Sequence, residues 1–176
     1  MLLSAILFTL LWQSQPGPQA PVRRLPPKAF RQLPAAIINS LQARRCLIPQ
    51  AEAVRTPHNV ISGSFTGANQ KEWAVLCSRR GSSSILVFQA NSAKLVAEIA
   101  AAKDDDYLQR DHKGEFYFSR AISTVGEKYI LEHYKAYGGP EPPPITHHGI
   151  NDAYLEKASV VRYFHNGKWI ELHGAD

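Results

Sequence analysis

Only two cysteines, Cys46 and Cys77, occur in the 176 residues, and no C-x-x-C pair is among them. The G-x-S-x-G, Walker A and H-E-x-x-H patterns are missing as well, which weakens the case for an enzyme without closing it. No apolar stretch is long enough to cross a bilayer; the longest, LLSAILFTLLW within Met1–Trp12, is too short. The formal charge is +5, yet Lys and Arg come as single residues and as the pairs Arg23-Arg24, Arg44-Arg45 and Arg79-Arg80. Without a basic block interleaved with aromatics, a nucleic-acid partner is not expected.

The N-terminal run has the length of a signal-peptide h-region and is followed by a polar, Pro-rich stretch ending at Ala20. Residues 1–20 are therefore predicted to be a signal peptide, 21–29 a proline-rich tether, and 30–176 a single domain. The alternative is a short uncleaved anchor. On the first reading the protein is secreted or periplasmic, and the mature chain has no stable membrane span. An oxidising compartment favours a Cys46–Cys77 disulfide over two buried thiols. A Cys nucleophile is the third option, but neither Cys stands beside a candidate base. Closing that loop would stabilise the fold by roughly 3–4 kcal/mol.

Three short strands, Val60–Phe65, Trp73–Ser78 and Ser84–Gln89, are separated by Thr, Gly, Asn, Arg and Ser loops and read as a β-meander. The run Ile85–Phe88 is apolar on both faces and belongs inside a sheet. Ahead of it, Leu33, Ile37 and Leu41 recur every four residues with Ile38 beside them, predicting a helix over Phe30–Arg45. Pro34 would sit in its first turn. A bridge from Cys46 would then pin this helix to the central strand. Ala93–Ile99 is expected as a fourth strand, with Leu95, Ala97 and Ile99 on one side, and Glu115–Ile122 as a fifth.

Thr124-Val-Gly-Glu127 matches a capping box, predicting a helix over Val125–Tyr137 that stops at Gly138-Gly139. An extended strand through Lys128–Tyr134 is the alternative. At the C-terminus, Asn166-Gly167 between Ser159–His165 and Lys168–His173 has the signature of a two-residue type I′ hairpin. Its register pairs Tyr163 with Ile170, Val161 with Leu172, Phe164 with Trp169 and Arg162 with Glu171. The expected fold is α+β: a mostly antiparallel β-sheet, meander plus C-terminal hairpin, with two helices.

GSFTGANQKEWAVL, Gly63–Leu76, resembles one FG-GAP or VCBS-type repeat, the unit of integrin-like and many bacterial secreted β-propellers. Gly63, Phe65, Gly67, Ala74 and Val75 fall on the structural positions of that pattern. The resemblance implies a local strand–loop–strand shape. Such repeats bind calcium through carboxylates and an Asn, but those positions are Ser64, Thr66 and Ala68 here, and only Glu72 keeps a carboxylate. Calcium asks for six or more oxygens, so an empty loop is expected. No second copy of the motif is present, and a propeller needs repeated blades.

Two polar groups are candidates for chemistry. His147, His148 and Asp152 could ligate a metal or act as acid and base, although adjacent histidines on extended backbone point apart. The competing reading is a polar loop in which Asn151 or Asp152 caps a short segment, Ala153–Lys157. Asp104–Asp106, with Asp111, His112 and Glu115, is read as a solvated charge run, since its spacing does not fit an EF-hand. His165 and His173 project from opposite hairpin faces, and His133 is placed at the edge of a tyrosine cluster. The face carrying Phe164 and Trp169 is the predicted contact surface, for protein or carbohydrate. The function read from the sequence is an exported, non-enzymatic binding or structural module, with no cofactor. A small hydrolase or metal-dependent enzyme using His147, His148 and Asp152 is the alternative.

Overall fold

The computed structural model describes residues 22–90 and 92–175; the expected signal peptide lies outside the described residues. In chain order the elements are β1 (Arg24–Leu25), α1 (Ala35–Ala43), β2 (Ile48–Pro49), β3 (Val60–Gly63), β4 (Glu72–Arg79), β5 (Ser82–Gln89) and β6 (Leu95–Lys103). Then come β7 (Leu108–Arg110), β8 (Phe116–Phe118), β9 (Arg120–Val125), α2 (Glu127–Tyr137), β10 (Gly149–Tyr154), β11 (Ala158–His165) and β12 (Lys168–His173). All strand pairs are antiparallel. They form two four-stranded sheets, β3-β4-β5-β6 and β12-β11-β10-β9, and two small ribbons, β1-β2 and β7-β8. The architecture is thus α+β and dominated by sheet.

The two sheets lie face to face, each with a helix on its outer side. Leu33, Ile37 and Leu41 of the α1 region bury against Val75, Cys77, Leu86 and Phe88 on one face of the first sheet. On its other face Phe65, Ala74, Leu76, Ile85 and Val87 meet Phe118, Ile122 and Ile150. Ile85–Phe88 is apolar in both directions because each direction is covered: Ile85 and Val87 look toward the second sheet, Leu86 and Phe88 toward α1. Beyond the second sheet, Ile130 of α2 packs on Val125, Val161, Tyr163 and Leu172. Gly149 lets helix and sheet approach there, since a Cβ would stand 2.6 Å from Val161 Cγ1 and 3.5 Å from Ile130 Cδ1.

Local chemistry explains most element ends. α1 is shorter than its apolar stripe suggests, with Pro34 at the N-cap rather than in the first turn. It closes with bonds from Cys46 N–H to Leu41 O (2.9 Å) and Arg45 N–H to Gln42 O (2.9 Å), a Schellman motif. Cys46 and Cys77 are disulfide-bonded, with Cα atoms 5.4 Å apart. The bridge fastens the end of α1 to the centre of β4, the role expected of it. At the C-terminal hairpin every expected pair occurs, and Asn166 and Gly167 take φ of 49° and 78° as a type I′ turn requires.

Other expectations are corrected. No capping box forms at Thr124: β9 runs on through Val125, Gly126 is the N-cap of α2, and the Thr124 hydroxyl donates to Ser62 O at 3.0 Å. Asn151 and Asp152 cap nothing, because both lie inside β10. Leu95, Ala97 and Ile99 do not share a face. An irregularity sets Val87 opposite Ala97 but Phe88 opposite Leu95, so Leu95 turns toward α1 while Ala97 and Ile99 face the second sheet. The expected fifth strand is two strands broken at Ser119, whose N–H and hydroxyl both donate to Tyr107 O. Of the segment 21–29, read as a tether, the described residues 22–29 are held to the body: Arg24-Leu25 pairs with Ile48-Pro49, and Pro27 is buried.

Candidate functional site

Asp152, one of three candidate catalytic residues, is drawn into the sandwich by a partner that sequence spacing hides. Arg120 on β9 is fully buried, and its five N–H groups all find acceptors. Nε and Nη2 fork onto the two Asp152 oxygens at 2.8 Å each; Nη1 reaches Ser83 O (3.2 Å) and Oγ (3.1 Å); Nη2 also reaches Ala100 O (2.7 Å). Tyr107 covers the guanidinium, its ring centre 4.5 Å from Cζ. Burial pulls the Arg120 pKa down, but the hydrogen bonds and charge of Asp152, with Tyr107 and Asp104 nearby, leave it raised overall. The Tyr107 phenol is also raised, by burial first and by the Asp152 charge second. Arg162 Nη2 approaches Asp152 at 3.4 Å, while Nη1 of the same guanidinium pairs with Glu171. The Asp152 oxygens thus face guanidinium groups within the second sheet, and Arg120 carries the link across to Ser83 and Ala100 of the first.

The histidines lie elsewhere. The His147 ring stacks on Tyr163 at 4.4 Å, with Nε2 2.9 Å from Phe164 O. His148 Nδ1 accepts from Ser64 N–H at 3.1 Å, while the His148 backbone N–H donates to Ser64 O at 2.8 Å. They line a recess with Ser64, Asn69 and Thr146, whereas Asp152 lines a separate one with Tyr107, Tyr154 and Arg162. The structure therefore does not bring His147, His148 and Asp152 together. Among the described residues, no three His, Cys, Asp or Glu side chains are grouped as metal ligands.

The Gly63–Leu76 stretch spans the end of β3, a loop and β4. Glu72 is buried at its base and organises the loop directly: one carboxylate oxygen accepts from Phe65 N–H (2.6 Å) and Thr66 N–H (2.9 Å), the other from the Thr66 hydroxyl. The acidic residues disperse. Asp104 is not solvated but buried, bonded to Arg24 Nη2 (2.6 Å) and the Ser78 hydroxyl (2.5 Å). Asp106 accepts from Lys103 N–H, and Asp111 accepts from Lys113 and Glu115 N–H in the β7–β8 turn. His133 stacks on Tyr129 at 3.9 Å and lies 5.9 Å from Tyr137.

Phe164 and Trp169 meet edge to face at 5.5 Å on the side of the second sheet turned toward the first. Both are half-buried, and Trp169 packs against the apolar cluster between the sheets. The more open aromatic surface is on β8. Phe116 is 43% exposed, with the Arg110 guanidinium 4.0 Å above its ring. It borders a cleft of about 680 Å³ lined also by Tyr117, Arg23, Gln50, His112, Glu52, Glu115 and Glu156. The Tyr117 phenol is pushed up, by partial burial first and then by the Glu156 carboxylate beside it. The floor of this cleft is tied down: Gln50 Nε2 donates to Ile48, Pro49 and His58 carbonyls, and its Oε1 accepts from His58 N–H. Sequence reasoning missed this site because its residues come from four distant segments. Strand alternation puts Phe116 on the same side as buried Phe118, so the pattern alone gave no sign that Phe116 is exposed.

Fold and site together define a sheet-dominated α+β protein with paired antiparallel meanders and an open, mixed-charge cleft. No family model, curated protein or solved structure matches the chain.

Proposed function

We propose that this chain is an exported, single-domain, non-enzymatic binding module whose ligand cleft lies between the β7–β8 ribbon and the connector after β2. The observation that carries the reading is the composition of that cleft: an aromatic edge of exposed Phe116 and half-buried Tyr117, flanked by guanidinium, imidazole and carboxylate groups. Aromatic and Arg side chains are enriched where proteins contact one another, so a polypeptide segment is the proposed occupant, the rings supplying contact area and the charges fixing register. Engagement of Asp152, Glu72 and His147 in internal hydrogen bonds supports a structural rather than catalytic use of those side chains. The disulfide and the lack of a membrane-spanning helix among the described residues are compatible with a secreted or periplasmic setting. The half-buried Phe164–Trp169 pair is a secondary contact at most.

The test is a binding screen of the mature chain against a peptide library and an oligosaccharide panel, repeated with Phe116→Ala. Peptide binding that falls at least tenfold in the variant, with unchanged melting temperature, supports the reading. Carbohydrate-only binding would reassign the partner. Hydrolysis of generic ester, glycoside or phosphoester substrates, abolished by His147→Ala or His148→Ala, would overturn it.

A further inference from the structure

Two arginine pairs separated by more than thirty positions are locked side by side. Arg44-Arg45 closes α1, Arg79-Arg80 closes β4, and the disulfide joins the residue after the first pair to one just before the second. An antiparallel bridge doubles the link: Leu47 N–H to Ser78 O at 3.1 Å, and Ser78 N–H to Leu47 O at 2.8 Å. Between the pairs lies a recess of about 420 Å³, floored by Ser82 and Ser84 of β5 and distinct from the aromatic cleft. Its one carboxylate, Glu98, is already taken by Arg79 and by the Ser84 hydroxyl (2.8 Å), which steadies the Arg79 guanidinium. Among the described residues no ion pair engages Arg44, Arg45 or Arg80.

The backbone adds an independent sign. Arg45 occupies the C′ position of a Schellman motif at φ 55°, and Arg80 the first position of a two-residue hairpin turn at φ 52°. Glycine suits the first site and Asn or Gly the second; a branched-free but Cβ-bearing Arg is disfavoured at both. Two arginines are thus placed at left-handed positions that a stability argument would assign elsewhere, and both line one recess. Residues kept in sparsely populated backbone regions gather at functional sites. Planar guanidinium forks match the oxygens of phosphate groups, and hydroxyls such as Ser82 complete such a cradle.

We propose that this disulfide-locked arginine recess binds a ligand through one or two phosphate groups. The oxidised mature chain is titrated calorimetrically with inorganic pyrophosphate, and mixed in flotation assays with phosphatidylcholine vesicles lacking or containing phosphatidylglycerol. Binding of either probe that weakens at least tenfold in Arg45→Gly and in Arg80→Asn, while both variants melt at or above the wild-type temperature, supports the site. Pyrophosphate binding alone marks a soluble phosphorylated ligand, and capture by the phosphatidylglycerol vesicles marks a lipid headgroup. Arg31→Gln, an exposed arginine outside the recess, should leave binding unchanged. Failure of the wild type to bind either probe would overturn the proposal. So would an equal loss in Arg31→Gln, which reports charge alone, or retention of affinity in both recess variants.

Discussion

Replacing Arg120 with Met removes a fully buried charge with five hydrogen bonds. The guanidinium is fully buried and its five N–H groups serve Asp152, Ser83 and Ala100. Met fills much of the volume, so the loss is electrostatic: Asp152 keeps only the longer 3.4 Å approach of Arg162. Breaking one side of a buried pair costs about 3–5 kcal/mol, because the remaining charge stays desolvated. For a chain of this size that corresponds to a fall in melting temperature of roughly 6–20 °C. Urea unfolding followed by fluorescence and far-UV circular dichroism measures it. Removing both charges, Arg120→Met with Asp152→Leu, should recover most of the loss, as buried pairs exchanged for apolar groups commonly do. A single variant within about 1 kcal/mol of wild type would refute this account. So would a double variant whose cost equals the sum of the singles.

Three further outcomes are expected. His58 is held neutral, with Nε2 accepting from Ala51 N–H at 2.8 Å and Nδ1 2.9 Å from Thr56 O. Its pKa is lowered, by burial first and by Arg23 in part, against the Thr56 bond. The folded value lies below the unfolded one, so His58's contribution is full above about pH 6.5 and fades as pH falls through the folded value. Stability measured from pH 8 to 5 should therefore drop less steeply in His58→Gln than in wild type; parallel profiles would count against the assignment. Glu72→Ala leaves the Phe65 and Thr66 donors without their acceptor and should cost on the order of 2–4 kcal/mol in chemical unfolding; calcium should not restore it. Cys46→Ser with Cys77→Ser should cost roughly 3–4 kcal/mol by the chain-entropy account, and denatured, non-reduced wild type should titrate no free thiol.

Elements whose instructions are local were legible in the sequence. Asn166-Gly167 dictates its own turn and through it the register of four side-chain pairs, and Ile85–Phe88 announces a strand covered on both faces. What escaped depends on distant partners. Asn151 and Asp152 are poor strand formers, and β10 exists because Arg120 supplies a buried countercharge and because β9 and β11 flank it. Thr124 carries a true capping pattern, yet pairing of β9 with β10 gives its backbone a better set of hydrogen bonds. Leu95 obeys strict alternation on paper, and one irregularity beside Val96 reverses its side. At the candidate sites, His147 and Asp152 are close in sequence but are pulled to different faces. The arginine pairs were visible as pairs, and nothing in their spacing says that they meet.

The position of the disulfide within the architecture has a consequence for how the protein is made. Both cysteines belong to the first half of the chain, and every element that surrounds them, α1 and β2 through β6, ends at Lys103. As the chain emerges N-terminus first, that helix and meander can assemble and be covalently closed before any of β9–β12 exists. During this interval Leu76, Ile85 and Val87, which later face Ile122 and Ile150, have no cover. In an oxidising compartment the half-made molecule would be bridged but sticky, with one finished face and one bare apolar sheet. Truncated chains ending near residue 103 should then be trapped as disulfide-bonded species that self-associate, and the second meander would serve its twin as a built-in cover.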